Sequence, residues 1–153
     1  MVAVPGLEWN PVKEFVDMIR GLAHVCIGAL DLAATEAFYC AGLGCAKHFD
    51  FLRDGARVGF YLRVPDGTFI EAFQQDEIDR RANSPISHLC FETGDLDGLI
   101  GHLASMGCEV TEKTLGGDHS WQAWTTDPNG VRIEFHQYTI ESCQVTGWDC
   151  VLD

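Results

Sequence analysis

Apolar and polar positions along the chain fall into two successive blocks with the same order of periods. Residues 22–27 and 86–92 alternate or run apolar, with β-branched and aromatic content, which is a strand pattern. In the second block Leu96, Leu99, Ile100, Leu103 and Met106 then recur at helical spacing and make one apolar face. Asp31 and Asp95 stand where N-caps belong, and Gly42 and Gly107 where helices stop. Three strand patterns follow in each block: 46–53, 57–64 and 68–74, then 108–114, 121–126 and 131–138. The pairs Asp54-Gly55, Asp66-Gly67 and Asn129-Gly130 are hairpin signals between them. Each block therefore reads β-α-β-β-β.

The two blocks also repeat in residue identity. His24 aligns with His88, Cys26 with Cys90, Asp31-Leu32 with Asp95-Leu96, and Gly44-Cys45 with Gly107-Cys108. Further on, the run from Pro65 to Glu71 aligns with the run from Pro128 to Glu134, and Gln74 with Gln137. One match is chance; the same order at a nearly constant offset is a duplication. The expected organisation is one domain at 21–139, built from modules 21–75 and 86–139 with a polar linker at 76–85. Residues 1–20 are expected to form a helical arm, starting at Asn10-Pro11 with the apolar stripe Val12, Phe15, Val16 and Ile19. Residues 140–153 are expected to be a C-terminal extension.

Composition narrows the function classes. At 153 residues and 46% apolar, the chain buries one sizeable core without staples. A formal charge of -13 argues against nucleic acid and against anionic lipid as partners. No apolar stretch of membrane-spanning length occurs, and the first twenty residues do not have a signal-peptide pattern. Seven Cys, odd in number and without C-x-x-C, read as reduced cytoplasmic thiols.

The duplication also makes a chemical point. His24 and His88 lie on equivalent first strands, and Glu71 and Glu134 on equivalent last strands. Taken singly, a strand His is most often a hydrogen-bonded rim residue and a strand Glu most often faces water. Both types recurring at matching places point instead to a shared site. If the modules pack about a pseudo-twofold axis, the four can meet. Two imidazoles with two carboxylates suit a divalent first-row metal, and such sets often leave positions for water or substrate. A metal also removes the cost of an inward carboxylate such as Glu134, set in Val131-Arg132-Ile133-Glu134-Phe135-His136.

The segments Gly21-Leu22-Ala23-His24, Phe69-Ile70-Glu71, Ser87-His88 and Trp124-Thr125-Thr126-Asp127-Pro128-Asn129-Gly130-Val131-Arg132-Ile133-Glu134 resemble the vicinal oxygen chelate superfamily. That superfamily includes glyoxalase I, methylmalonyl-CoA epimerase, bleomycin- and fosfomycin-resistance proteins and extradiol dioxygenases. The resemblance covers about residues 21–139. It implies an α+β fold in which two tandem βαβββ modules form a cup-shaped mixed sheet around one metal site. The implied ligands are His24, Glu71, His88 and Glu134, holding one divalent ion per chain: Ni, Co, Zn, Mn, Fe or Mg. The order His, Glu, His, Glu is similar to glyoxalase I and metal-dependent epimerases. The implied activity is that of a metal-dependent isomerase, epimerase or lyase. It would transfer a proton alpha to a carbonyl, through an enediolate, on a small molecule with vicinal oxygens. Glu134 is the base of a glyoxalase-like site, and Glu71 the second base of an epimerase-like one. The resemblance further implies a homodimer. The alternatives are a non-catalytic drug-binding module of the resistance type and an extradiol-type dioxygenase.

Similar bacterial glyoxalases carry an Arg at the place of Gly28 and an Asn at the place of Gln75, both associated with glutathione. These departures favour a small non-thiol 2-hydroxycarbonyl substrate. Several other residues fall on the implied site. Cys26 and Cys90 share the faces of the two His by strand period. His136 shares the face of Glu134 as a neighbour or pocket acid. Tyr61, Arg57 and Arg63 are expected on one strand face, and His119 in a loop at the mouth.

Overall fold

The computed structural model describes residues 21–65, 67–78 and 85–150. The expected arm at 1–20 and much of the linker lie outside these residues. The first half runs β1 (His24–Ala29), α1 (Leu32–Ala37), one π-helical turn (Phe38–Gly42), β2 (Ala46–Arg53), β3 (Ala56–Arg63) and β4 (Phe69–Gln74). The second half runs β5 (Leu89–Glu92), α2 (Leu96–Ser105), β6 (Thr114–Leu115), β7 (Trp121–Thr126), β8 (Arg132–Gln137) and a short α3 (Cys143–Thr146). Each half folds into a four-stranded mixed sheet, in the order β1-β4-β3-β2 or β5-β8-β7-β6. In each, the first strand pairs parallel with the last and the other pairs are antiparallel. The α+β class and the tandem βαβββ modules are as the periodicity and the resemblance imply.

Local chemistry explains the elements. Asp31 accepts from the Ala33 and Ala34 amides at 2.8 and 3.0 Å, and Asp95 from Gly98 at 2.9 Å, so both serve as N-caps. The repeated Gln has the same task twice. Gln74 Nε2 donates to the Leu30 carbonyl at 2.7 Å, and Gln137 Oε1 accepts from the Leu96 amide at 3.0 Å, each tying the last strand to the entry of the helix. Asp54 and Gly55 both have positive φ, 51° and 78°, as a type I′ hairpin requires.

The structure departs from the pattern in two places. Gly42 does not stop the first helix, which runs through it in the π turn to Leu43 and a left-handed Gly44. Gly42 is small because a Cβ there would lie 3.1 Å from Leu103 Cδ2 on α2. Beside it, His102 Nε2 bonds the Ala41 carbonyl at 2.7 Å. The strand expected at 108–114 shrinks to an isolated bridge at Val110 and the two residues of β6. Here side chains replace ladder bonds. Thr111 Oγ1 accepts from Trp124 N at 2.9 Å, and Thr125 Oγ1 donates to the Glu109 carbonyl at 2.6 Å.

Core residues from both halves form one cluster. Ile27, Ala29, Tyr39, Phe60, Leu62 and Ile70 come from the first half, and Leu96, Leu103, Ala123, Ile133 and Phe135 from the second. A buried polar turn ties the halves together. Asn129 Oδ1 accepts from the Leu30 amide at 2.9 Å, and its Nδ2 donates to Thr35 Oγ1 at 2.9 Å. Tyr39 donates to Asp127 Oδ2 at 3.2 Å, and Asp127 Oδ1 accepts from the Asn129 and Val131 amides. Burial and the Asp127 charge push the Tyr39 hydroxyl up, which keeps it a donor. Among the described residues no helix is long and apolar enough to cross a membrane. Asn129→Ala removes the partners of Leu30 and Thr35 inside this turn and is expected to destabilise the protein by about 1–3 kcal/mol. Urea denaturation with an unchanged m-value measures it.

Candidate metal centre

In β1, Ile27 and Ala29 point into the core, so the two-residue period turns His24 and Cys26 to the opposite, open face. Strand register then sets Cys26, Glu71 and Tyr61 side by side across β1, β4 and β3. His24 Nε2 lies 3.7 Å from Glu71 Oε2, and the His24 ring meets Tyr61 edge-on at 5.7 Å. The second half repeats the arrangement. Cys90, Glu134 and Trp124 are register partners, His88 Nε2 lies 3.1 Å from Glu134 Oε2, and the His88 ring meets Trp124 edge-on at 5.1 Å.

The two faces then diverge. At the repeat position where the first half has Phe73, the second has His136. Around Phe73 the face is aromatic: Phe49 stacks on Tyr61 at 4.8 Å, Phe51 on Phe73 at 4.7 Å, and Phe69 meets Tyr61 at 5.0 Å. In the second half His136 Nε2 lies 3.1 Å from Glu134 Oε1, so two imidazoles flank one carboxylate. His136 Nδ1 faces Asp118 Oδ2 at 3.9 Å. Burial raises the Asp118 carboxyl, but hydrogen bonds from Gln144 and Ser120 outweigh it and hold the group below its ordinary value. Glu134 and His136 are each only 8% exposed. Among the described residues Glu134 has no Lys or Arg ion partner. A buried carboxylate whose partners are two imidazoles and a thiol is a donor set that fits a divalent cation.

The four expected ligands are thus brought together as two pairs, His24 with Glu71 and His88 with Glu134. Among the described residues the pairs do not join into one group of ligand atoms. The group that does gather, within 4.8 Å, is Cys90, Glu134 and His136.

Residues 21–135 match the family described as the Glyoxalase/Bleomycin resistance protein/Dioxygenase superfamily. The chain belongs to this superfamily. It is 28% identical over 128 residues to the uncharacterized protein YaeR of Escherichia coli, covering 78% of this chain and 97% of YaeR. Among solved structures, a glyoxalase family protein from Enterococcus faecalis aligns with a TM-score of 0.67 at 23% identity, over 78% of this chain and 98% of its own. A lactoylglutathione lyase from Agrobacterium tumefaciens aligns with a TM-score of 0.57 at 21% identity, over 76% and 92%. The superfamily includes enzymes alongside non-enzymatic members; its members typically bind a metal ion and small molecules and often form dimers.

In this glyoxalase-superfamily chain, a cleft of about 710 Å³ opens between the edges of β1 and β5. Val25, Ile70, Leu89 and Phe91 are among its apolar lining, and His88 and Cys90 line it too. Arg57 does not share the open face with Tyr61, because a register shift between Phe51 and Leu52 turns it back to Glu36 and Asp50. His119 holds a positive φ of 62°, and its carbonyl accepts from Thr139 and Ser142, which ties the C-terminal segment to the loop. Asp118 was not legible in the sequence, since a loop position carries no period.

Both thiols on the open faces are shifted. Desolvation, with the hydrogen bond and charge of Glu71, pushes Cys26 up to about 11; desolvation, with the charge and hydrogen bond of Glu134, pushes Cys90 up to about 12. A raised thiol pKa lowers the thiolate fraction at neutral pH. In chelator-treated protein, alkylation of Cys26 and Cys90 by iodoacetamide should therefore run at least about tenfold slower than for a free cysteine. Glu134→Gln should speed Cys90 and leave Cys26 alone, as read by peptide mass spectrometry between neutral and alkaline pH.

Proposed function

We propose that the protein is a divalent-metal-dependent isomerase, epimerase or lyase that moves a proton on the carbon beside a carbonyl. The observation that carries this reading is Glu134, a buried carboxylate held between His88 and His136 with no Lys or Arg partner among the described residues. His24, Glu71, His88 and Glu134 are the residues that would hold one cation per chain. A bound divalent cation supplies positive charge that favours ionisation beside a carbonyl. The remaining work falls to the chain. Glu134 accepts the proton and returns it to the neighbouring carbon, while His136 fixes the second oxygen of its carboxylate. Glu71 is the second base if the reaction is an epimerisation. The aromatic face of Phe49, Phe51, Tyr61, Phe69 and Phe73 keeps water from the reacting carbon.

The substrate of this reading is a small 2-hydroxycarbonyl compound with vicinal oxygens. Gly28 carries no side chain, so no basic group for a glutathione carboxylate stands there, and a Cβ at that place would lie 3.1 Å from Gln75 Cγ and 3.6 Å from Ile78. Two copies complete the site, His24 and Glu71 from one and His88 and Glu134 from its partner. What supports this is the separation of the pairs within one chain and the exposure of their imidazoles, with side chains 42% exposed at His24 and 33% at His88. The same reading sets the chain in the reducing cytoplasm, where seven thiols persist without oxidation. The aromatic face also favours a second reading, a container that holds a small molecule without turnover.

Solvent-deuterium incorporation into candidate 2-hydroxycarbonyl compounds, followed by NMR, separates catalyst from container. Wild type should exchange, and Glu134→Gln should lower the rate by roughly 10²–10⁴ with only modestly weaker metal binding. A tightly bound compound that never exchanges would leave the container as the better reading. Mixing inactive His24→Ala and Glu134→Gln proteins tests the shared site. Each mixed dimer then holds one intact site, so exchange should return to roughly a quarter of wild type. No recovery, with subunit exchange verified by mass spectrometry, places each site within one chain.

A further inference from the structure

The halves differ at one more repeat position on the open faces. In the alignment of the two halves Phe69 corresponds to Arg132, and Tyr61 and Trp124 are the register partners of the two Glu residues. In the first half Phe69 meets Tyr61 at 5.0 Å. In the second half the Arg132 guanidinium lies over the Trp124 ring, 4.1 Å from its centroid. The same corner is therefore apolar in one half and cationic in the other. Lys47, Arg57 and Lys113 each pair with a carboxylate. Arg132 pairs with none among the described residues, although the chain carries a formal charge of -13 and Glu109 lines the same cleft. Nor do its N–H groups donate to a protein acceptor among those residues. A ring beneath a guanidinium favours the cation and restricts where it points, while the N–H fork at its edge stays open to a ligand.

Space for that ligand lies alongside. Where the expected strand at 108–114 is missing, a cleft of about 730 Å³ opens, with Thr111, Trp124, Thr126 and Arg132 in its wall. Arg132 and Glu134 are two residues apart on β8, so they share a face and stand roughly 7 Å apart along the strand. The Trp124 ring that carries Arg132 also meets the His88 ring at 5.1 Å. We infer that Arg132, held over Trp124, binds a carboxylate or phosphate on the substrate, so that the compound acted on is an anionic 2-hydroxycarbonyl. A guanidinium fork matches either oxyanion with two parallel hydrogen bonds. The inference rests on the proposed reaction for the chemistry at the carbon; the oxyanion contact stands on Arg132, Trp124 and the cleft. Across the site the aromatic corner at Tyr61 and Phe69 has no group to hold such an anion, so the cationic corner sets which way round the substrate lies.

The test is isothermal titration of the full-length protein, at fixed ionic strength, with two pairs of probes. Dihydroxyacetone phosphate is compared with dihydroxyacetone, and 5-hydroxy-4-oxopentanoate with its methyl ester. In at least one pair the charged member should bind at least about tenfold tighter to wild type; the phosphate pair or the carboxylate pair that shows this names the oxyanion. Arg132→Gln and Arg132→Ala should erase the preference, and Arg132→Lys, a point charge without the fork, should keep part of it. The control Arg53→Gln removes an equal charge elsewhere on the surface and should leave the preference intact. In solvent-deuterium exchange with the preferred compound, Arg132→Gln should raise KM at least about tenfold and leave kcat nearly unchanged. Circular dichroism confirms that each variant is folded. Failure of both charged compounds to bind, equal binding within both pairs, or a preference that survives Arg132→Gln overturns the inference; exchange that continues under any of these leaves the reaction standing. A preference that follows Arg132 in a protein that exchanges no deuterium leaves the oxyanion site standing and removes the reaction.

Discussion

Asp127 and Asn129 form a polar turn almost fully buried between the halves, and each of their side-chain donors and acceptors finds a partner. Asn129 reaches across to Leu30 and Thr35, and Asp127 to Tyr39. Left unpaired, any of these groups would destabilise the fold by a substantial part of its net stability. Fully paired, they specify how the halves pack. The same turn joins β7 to β8, so it fixes the strand that carries Glu134 and His136. The placement of the chemistry is therefore linked to the packing of the two modules.

On that frame the duplication acts as two copies of one scaffold with different surfaces. Both retain a His, a Cys, a Glu and an aromatic ring in the same register. Around this shared motif one face becomes a stack of phenylalanines and a tyrosine, while the other gathers His136, Asp118 and Gln144. Side chains on the core side cannot diverge so freely, because each fills a volume defined by its neighbours. The open side has no such limit, and there the halves have separated into an apolar face and an ionisable one.

The periods reported most of the elements correctly because they record which residues face the core. They failed where side chains changed the backbone pattern. Thr111 and Thr125 take over ladder bonds in the segment expected as a strand, and the close approach of Leu103 keeps Gly42 small inside a helical turn. Arg57 was misdirected for a related reason, since one register shift reverses the face of every following residue.

By itself the sequence determined the tandem modules, the N-caps, the hairpin turns and the recurrence of His, Cys and Glu at matching places. All of these depend on local period or on the repeat, which an order of residues carries directly. The tertiary structure alone decided that each His pairs with the Glu of its own half, that the two pairs stand apart within a chain, and that Asp118 faces His136. It also revealed that Asp127 and Asn129, legible as part of a motif, bind the halves together. Those relations join residues up to 99 positions apart, as Leu30 and Asn129 are, and only packing brings such groups within bonding distance.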